Sequence, residues 1–269
     1  MNFLYGIPAL VFLAGAIALS VAAAGLGQRF VHRRFRRQDF IAHNEVGGII
    51  IAVCGTLYAV VLGFLTVVVW QHVVDARQLV VQESNADIDA WHSAVGLPGP
   101  VRTHIRGDII AYAKIMVERE WPAMRQGSYD ESAAMIVMDA IDTAGTFQPA
   151  NNRESNAQAQ LLQLLTAMHD ARQQRIATNG DGVPGFEWVV LLLGAFCIVS
   201  FCWLFGLSNA RVQFVMTSAV VTITVSILVL LFELQYPFRS GIGIGPGAWI
   251  GAVQHIHEMQ SGQMPNMKM

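Results

Sequence analysis

Four long runs of the chain carry no formal charge, and polar stretches separate them. They cover residues 7–26, 46–70, 188–207 and 212–232. About 20 helical residues are needed to cross a ~30 Å hydrocarbon core. A backbone in lipid must also satisfy its own hydrogen bonds, which a helix does within one segment. The pattern therefore predicts four transmembrane helices.

The stretch between the second and third runs is polar and has a helical period. Residues 71–185 hold 9 of the 17 basic and 14 of the 19 acidic residues, so this insert is acidic. Apolar residues recur there every three or four positions, which is typical of helices that bury one face. The fold predicted is all-α, with four transmembrane helices and a helical-bundle insert between spans two and three. Two such faces are Ile105, Ile109, Tyr112 and Met116, and Leu161, Leu165, Met168 and Arg172.

The same pattern predicts the order of the chain's segments. Residues 1–70 form a first transmembrane pair, 71–185 the insert, and 186–235 a second pair. Residues 236–269 are predicted to be a Gly-rich loop followed by a flexible tail. Four helices are predicted within the insert. The first continues from the second span through about residue 94, and the second lies between the Pro-Gly breaker at 98–100 and Pro122. The third covers about 130–143, capped by Asp130 or Ser128, and the fourth about 153–178.

Composition agrees with a membrane protein and argues against a soluble enzyme. Charged residues make up 13% of the chain, about half of the ~25% usual in soluble domains. The acidic insert offers no basic surface, so a nucleic-acid partner is not expected. We find no nucleophile–base motif and expect no catalytic residues, no cofactor and no resident metal site. The insert carboxylates, including Glu83, Asp87 and Glu120, are interpreted as solvated helix charges.

Two features of the ends remain open. Histidine and methionine crowd the tail, from His255 and His257 to Met269. These ligands suit Cu(I), but a solvated tail without a fixed ligand geometry is the interpretation we prefer. An arginine cluster follows the first run and is either a topology signal or a lipid-binding segment. Its members are Arg29, Arg33, Arg34, Arg36 and Arg37.

The arginine cluster also predicts the orientation in a cell (inner) membrane. Cytoplasmic connections are enriched in Lys and Arg. The 27–45 connection is therefore expected in the cytoplasm, and the N-terminus, the insert and the C-terminus outside.

The fourth run contains hydroxyl residues at helical spacing. Ser218, Thr222 and Ser226 recur every four residues and Glu233 follows seven later, so all four project from one helix face. They are candidates for lining a water-filled path. The alternative is that the hydroxyls bond their own helix or a neighbouring one. Thr56 and Tyr58 of the second run, which is rich in small residues, are further lining candidates.

Short motifs spread over residues 40–250 resemble the bestrophin-like family of membrane proteins. The resemblance implies a multi-pass membrane protein, and its layout is similar to that of bestrophins, which are pentameric anion channels. That layout would place the insert in the cytosol, opposite to the orientation from the arginines, which we prefer. The residues that carry the resemblance are Asn44, Gly55, Tyr58, Glu83, Trp91, Arg106, Glu120, Trp121, Arg172, Arg175, Pro237 and Phe238.

The sequence thus predicts a homo-oligomeric, ion channel-like pore in the lipid bilayer, with inorganic ions as its possible cargo. Four spans in one chain are too few to enclose a water-filled pore readily, so assembly of several copies is implied. The alternative function is a membrane-anchored sensing module, in which the helical insert binds a ligand or a partner protein.

Overall fold

A computed structural model describes residues 2–34, 44–206 and 209–261, and these residues form helices joined by short connections, with no strand among them. A short 3₁₀ turn at Asn2–Gly6 precedes α1. The helices are α1 Ala9–Arg34, α2 Asn44–Ser93, α3 Gly99–Ile115, α4 Trp121–Arg125, α5 Glu131–Thr146, α6 Asn152–Gly180, α7 Gly185–Leu204, α8 Ala210–Leu234 and α9 Gly247–Ser261.

Among the described residues, four helices are long and apolar enough to cross a membrane, as the sequence predicts. They are α1, α2, α7 and α8. The charge-free part of α2, residues 46–70, is the part we treat as its span. Arg36 and Arg37 of the arginine cluster lie outside the described residues, whereas Arg29, Arg33 and Arg34 are exposed in the last turns of α1.

The chain divides into two compact units. The membrane unit contains Phe3–Gln71 and Gly182–Gln235, and the insert unit contains His72–Asp181 and the chain from Tyr236 onward. In the membrane unit, α1 packs mainly on α8, and α7 contacts both. The start of α8 is capped by Asn209, whose side chain accepts from the Arg211 amide at 2.9 Å.

The insert unit is a bundle whose helices begin at clear local signals. Asp130 caps α5 by accepting from the Ser132 amide, as predicted. Asn151 caps α6 by accepting from the Glu154 amide, and the Glu154 carboxylate accepts from the Ala150 amide in return. Side-chain oxygens at these positions satisfy amides that have no partner within the helix.

Trp121-Pro122 is expected to weaken or to end the second insert helix, and it does not end it, because a π-helical turn at Met116–Glu120 leads directly into α4. The expectation for the tail is wrong. The predicted flexible tail is helical over Gly247–Ser261, because Trp249, Ala252 and Ile256 form a buried face that packs in the insert unit. Met264, Met267 and Met269 lie outside the described residues.

Candidate functional site

The core of the insert unit contains a group of buried charges. Glu83 projects from α2 and Arg175 from α6, and neither side chain is exposed to solvent. Arg175 Nε donates to Glu83 Oε2 at 2.6 Å, and its Nη2 donates to Oε1 at 3.1 Å. The Tyr112 hydroxyl donates to Glu83 Oε1 at 2.5 Å. Glu83 is thus held by a two-pronged ion pair and a phenol.

Glu120 extends this arrangement from the π-helical turn. Arg172 Nη2 lies 3.2 Å from its carboxylate and Arg175 Nη2 lies 3.3 Å from it. The Asp130 amide donates to Glu120 Oε2 at 2.8 Å. Glu83, Glu120, Arg172 and Arg175 are here called the ion-pair cluster. Two carboxylates face two guanidinium groups, so the cluster is neutral and its burial is tolerable.

Asp87 lies one helical turn beyond Glu83 and, among the described residues, makes no ion pair or side-chain hydrogen bond of the kind that Glu83 makes. The residue is fully buried, and neither carboxylate oxygen has a hydrogen-bond partner among the described residues. Burial, and secondly the negative charge of Glu83, raise the pKa of Asp87 well above its usual range. Relative to an exposed aspartate, its protonated form is therefore favoured over the charged form.

The family-motif residue Trp121 lies beside the ion-pair cluster, with its ring centre 5.3 Å from the guanidinium carbon of Arg175. The Trp121 indole donates to the Ile244 carbonyl at 3.1 Å and meets Phe238 edge-on, with ring centres 5.8 Å apart. The Pro237 carbonyl accepts from the Ile244 amide at 2.7 Å, which closes the turn before α9. These contacts attach the 237–244 segment to the insert unit.

Arg106 and Trp91 form a second aromatic contact in this unit. The Arg106 guanidinium stands 3.8 Å from the centre of the Trp91 ring, and its Nε donates to the Trp91 carbonyl at 3.0 Å. Burial, and then the neighbouring positive charge of Arg102, lower the pKa of Arg106. Because guanidinium pKa values start so high, Arg106 remains charged.

The expectation that Glu83, Asp87 and Glu120 are solvated helix charges is wrong. The reason is their register. Glu83 and Asp87 continue the buried face that Ala76, Val80 and Ala90 form on α2. Glu120 is turned inward by the π-helical turn. Asp89, two residues from Asp87, is exposed.

In the membrane unit, two family-motif residues tie α2 to α7 and to the residues that directly follow it. The Asn44 side chain donates to the Gly206 carbonyl at 2.8 Å and accepts from the Gly206 amide at 3.0 Å. The Tyr58 hydroxyl donates to the Leu191 carbonyl at 3.1 Å. A Cβ atom added at Gly194 would collide with the Tyr58 ring, so this glycine permits the close contact.

The lining candidates of α2 fall on different sides of that helix. Thr56 is exposed and donates to the Ala52 carbonyl at 2.8 Å. Tyr58 points toward α7, about 200° around the helix from Thr56. The two residues therefore do not line one common path. Gly55 lies in an apolar cavity of about 490 Å³ that α2 shares with α7 and α8.

The hydroxyl stripe of α8 is half-buried rather than open. The Ser226 hydroxyl donates to the Thr222 carbonyl at 2.7 Å, which is the self-bonding alternative. The Ser218 hydroxyl has no hydrogen-bond partner among the described residues. Glu233 is buried near the end of α8. The geometry thus gives a packing role to part of this stripe.

One group of side chains has the spacing of metal ligands, and the sequence interpretation missed it. His104 Nε2 lies 3.5 Å from Asp108 Oδ2 and 3.0 Å from Asp139 Oδ2. Within the described residues no other such group occurs. His104 and Asp139 are more than half exposed, so a solvated ion-pair triad accounts for the arrangement.

Comparisons with known proteins agree with this fold. The family model for the Bestrophin-like domain matches residues 14–249. A crystal structure of a bacterial bestrophin homologue from Klebsiella pneumoniae is similar over 93% of this chain and 100% of that one, with 15% identity and a TM-score of 0.64. A variant of that homologue gives 92% and 99% coverage, 15% identity and a TM-score of 0.64.

A crystal structure described as a membrane protein gives 92% and 99% coverage, 15% identity and a TM-score of 0.66. No curated protein matches the chain. At these identities the structural matches show the fold, whereas the family model covers most of the sequence. The protein is therefore an all-α, four-span membrane protein that belongs to the Bestrophin-like family.

Proposed function

We propose that copies of this chain assemble into an ion-conducting pore lined by α2. The observation that carries the proposal is the uncovered apolar surface of α2. Leu57 and Phe64 are 65% and 71% exposed, and Val53, Val60 and Val67 continue the same side of the helix. By contrast, α1, α7 and α8 each bury part of their surface against one another.

Helix geometry explains how this surface could line a path. Residues 53, 57, 60, 64 and 67 recur at intervals of four and three, so they form one stripe along the span. Copies arranged around an axis beside this stripe would stack rings of Leu57 and Phe64. Apolar rings of this kind gate ion channels by expelling water. Thr56, at the edge of the stripe, would add a ring of hydroxyl groups.

Family membership supports the same function. Bestrophins, to which the family layout is similar, are channels assembled from several subunits. The crystallised Klebsiella pneumoniae protein is described as a bestrophin homologue. For this chain, ion conduction and the number of subunits are proposals that the exposed stripe and the family relationship support together.

Flux measurements on purified protein in liposomes test the proposal. Phe64→Ala would widen the ring and raise ion flux several-fold. Leu19→Ala is the matched control, since Leu19 is an exposed apolar residue of α1, and it should leave flux unchanged. Flux equal to that of empty liposomes, or a monomeric mass in native mass spectrometry, would contradict a pore.

Cysteine accessibility provides a more local test of which helix lines the path. The background variant replaces Cys54, Cys197 and Cys202, the native cysteines, with alanine. A charged thiol reagent should then block flux through Leu57→Cys and leave Leu19→Cys unaffected. The opposite pattern would show that α2 faces lipid.

We also propose that the membrane is the cell (inner) membrane and that the insert lies outside. The exposed Arg29, Arg33 and Arg34 at the end of α1 support the placement of that end in the cytoplasm. A periplasm-active phosphatase fused after Ser261 should be active. A fluorescent protein that matures only in the cytoplasm should be dark there, and bright fluorescence would reverse the orientation.

A further inference from the structure

A groove in the membrane unit has both apolar walls and a basic end. It encloses about 610 Å³ between α1 and α8, a size within the ~300–1,000 Å³ of sites for small molecules. One end is apolar and the other is polar. The residues that line it are Ala22, Gly25, Leu26, Gln28, Arg29, His32, Ala210, Arg211, Phe214 and Val215.

Two cations stand at the polar end of the groove, and no carboxylate of the described residues pairs with them. Arg29 belongs to the last turns of α1 and Arg211 to the first turn of α8. In the described part of the chain, neither guanidinium takes part in a salt bridge. Two uncompensated positive charges beside an apolar groove at a membrane helix end are complementary to an anionic lipid head group.

Gln28 is a second and independent sign of a ligand. Its side chain is 5% exposed and lines the groove, yet its Oε1 has no hydrogen-bond partner among the described residues. An amide oxygen buried without a donor loses its hydrogen bonds to water and gains none in return, which is unfavourable. A hydroxyl group on a bound molecule would supply the missing donor.

The wall of the groove is fixed by contacts that do not occupy it. His32 Nε2 lies 3.1 Å from the Trp203 carbonyl, and Gln213 Nε2 lies 3.3 Å from the same imidazole nitrogen. Gly27 lets the Trp203 ring pack directly on α1. These contacts hold α1 beside the start of α8, so the groove is preformed.

We propose that this groove binds one anionic phospholipid whose head group carries hydroxyls, of the phosphatidylglycerol class. Its phosphate lies between Arg29 and Arg211, and a head-group hydroxyl donates to Gln28 Oε1. An acyl chain lies along Ala22 and Phe214 toward the middle of the span. The site requires neither ion conduction nor a particular orientation, so it stands independently of the pore.

Lipid titration followed by native mass spectrometry tests the site. One molecule of phosphatidylglycerol should bind per chain, and it should bind more tightly than phosphatidylcholine with the same acyl chains. Arg29→Gln and Arg211→Gln should each weaken the binding of phosphatidylglycerol about fivefold. Arg33→Gln is the matched control, because Arg33 is an exposed arginine of α1 that does not line the groove. An equal loss with Arg33→Gln would overturn the site in favour of diffuse surface attraction.

Two further variants separate the parts of the proposal. Ala22→Trp should fill the apolar end and abolish tight binding of the lipid. If it changes the oligomeric mass and leaves lipid binding intact, the groove is a contact between copies instead. Circular dichroism establishes that each variant remains helical.

Gln28→Leu tests the head-group contact. Wild-type protein should prefer phosphatidylglycerol over phosphatidylmethanol, which is anionic but has no free head-group hydroxyl. Gln28→Leu should remove that preference, because it weakens the binding of phosphatidylglycerol and leaves the binding of phosphatidylmethanol unchanged. Equal binding of both lipids to wild-type protein would refute the role assigned to Gln28.

Discussion

Arg175 on α6 and Glu83 on α2 form a two-pronged ion pair inside the insert unit, 92 residues apart in sequence. Both side chains are completely buried. Removing one partner of such a pair leaves a charge without compensation, whereas removing both can be nearly neutral. The pair therefore joins two helices that are distant in the chain.

Arg175→Met should lower the free energy of unfolding by about 3–5 kcal/mol. Arg125→Met, at an exposed position of α4, should change it by less than about 0.5 kcal/mol. The double variant Glu83→Met with Arg175→Met should be more stable than the sum of the single variants predicts. Thermal unfolding in detergent, followed by circular dichroism, measures the wild type, the three single variants and the double variant. Strict additivity would count against a direct pair.

Asp87→Asn should change how stability depends on pH. The raised pKa of Asp87 means that the folded state holds this proton more tightly than the unfolded chain, whose aspartates titrate near pH 3.9. Its contribution to stability is complete below about pH 4 and is lost as pH rises. Above pH 4, the free energy of unfolding of Asp87→Asn should therefore rise relative to that of the wild type, by up to about 1.4 kcal/mol per pH unit.

The control for Asp87 is Asp89→Asn on the same helix. Asp89 is exposed, so its substitution should leave the pH profile parallel to that of the wild type. Melting temperatures between pH 4 and 8 distinguish the two variants. Parallel profiles for Asp87→Asn and the wild type would mean that the Asp87 carboxyl is solvated.

Gly194→Val should separate α7 from α2 in the membrane unit. The added side chain would collide with the Tyr58 ring, and overpacking typically costs about 1–3 kcal/mol. Combining it with Tyr58→Ala should recover part of the loss. Gly185→Ala is the control, because nothing lies near that glycine. Unfolding midpoints in detergent report the differences, and a neutral Gly194→Val would disprove the contact.

Trp249→Ala should destabilise the insert unit. Trp249 is fully buried and its ring centre lies 5.5 Å from that of Tyr112. Large-to-small changes of a buried tryptophan cost about 3–5 kcal/mol. Ile250→Ala, at an exposed neighbour, should be nearly silent. Limited proteolysis should cut the Trp249 variant faster between residues 236 and 261, and equal rates would argue for a loosely attached α9.

The membrane spans were predictable because charge-free runs of sufficient length have few alternatives. The buried faces of the insert helices were also visible, and Leu161, Leu165, Met168 and Arg172 are buried as their spacing predicts. Periodicity identifies a face but does not identify its partner, so the pairing of Glu83 with Arg175 was not predictable. The sign of burial that the sequence offered was that Glu83 lies on the same helix face as Ala76, Val80 and Ala90.

Other features depended on contacts distant in sequence. The tail was predicted to be flexible, although Trp249, Ala252 and Ile256 are spaced as one helical face. The groove beside Arg29 depends on the neighbouring start of α8, some 180 residues later, and no local pattern reveals it. The arginine cluster itself was visible and suggested lipid contact as one of two interpretations.

The π-helical turn at Met116–Glu120 constrains how the length of this segment can change. Such a turn accommodates one residue more than the α-helix around it. Deleting a single residue there would restore ordinary helical winding and leave the later side chains, Trp121 among them, in nearly the same directions, because the lost residue is the one that the turn absorbs. Deleting a residue from the regular helix α3 would instead rotate each later side chain by about 100°, and Trp121 would leave Phe238. Homologous sequences should accordingly show one-residue gaps at this turn more readily than in the helix before it.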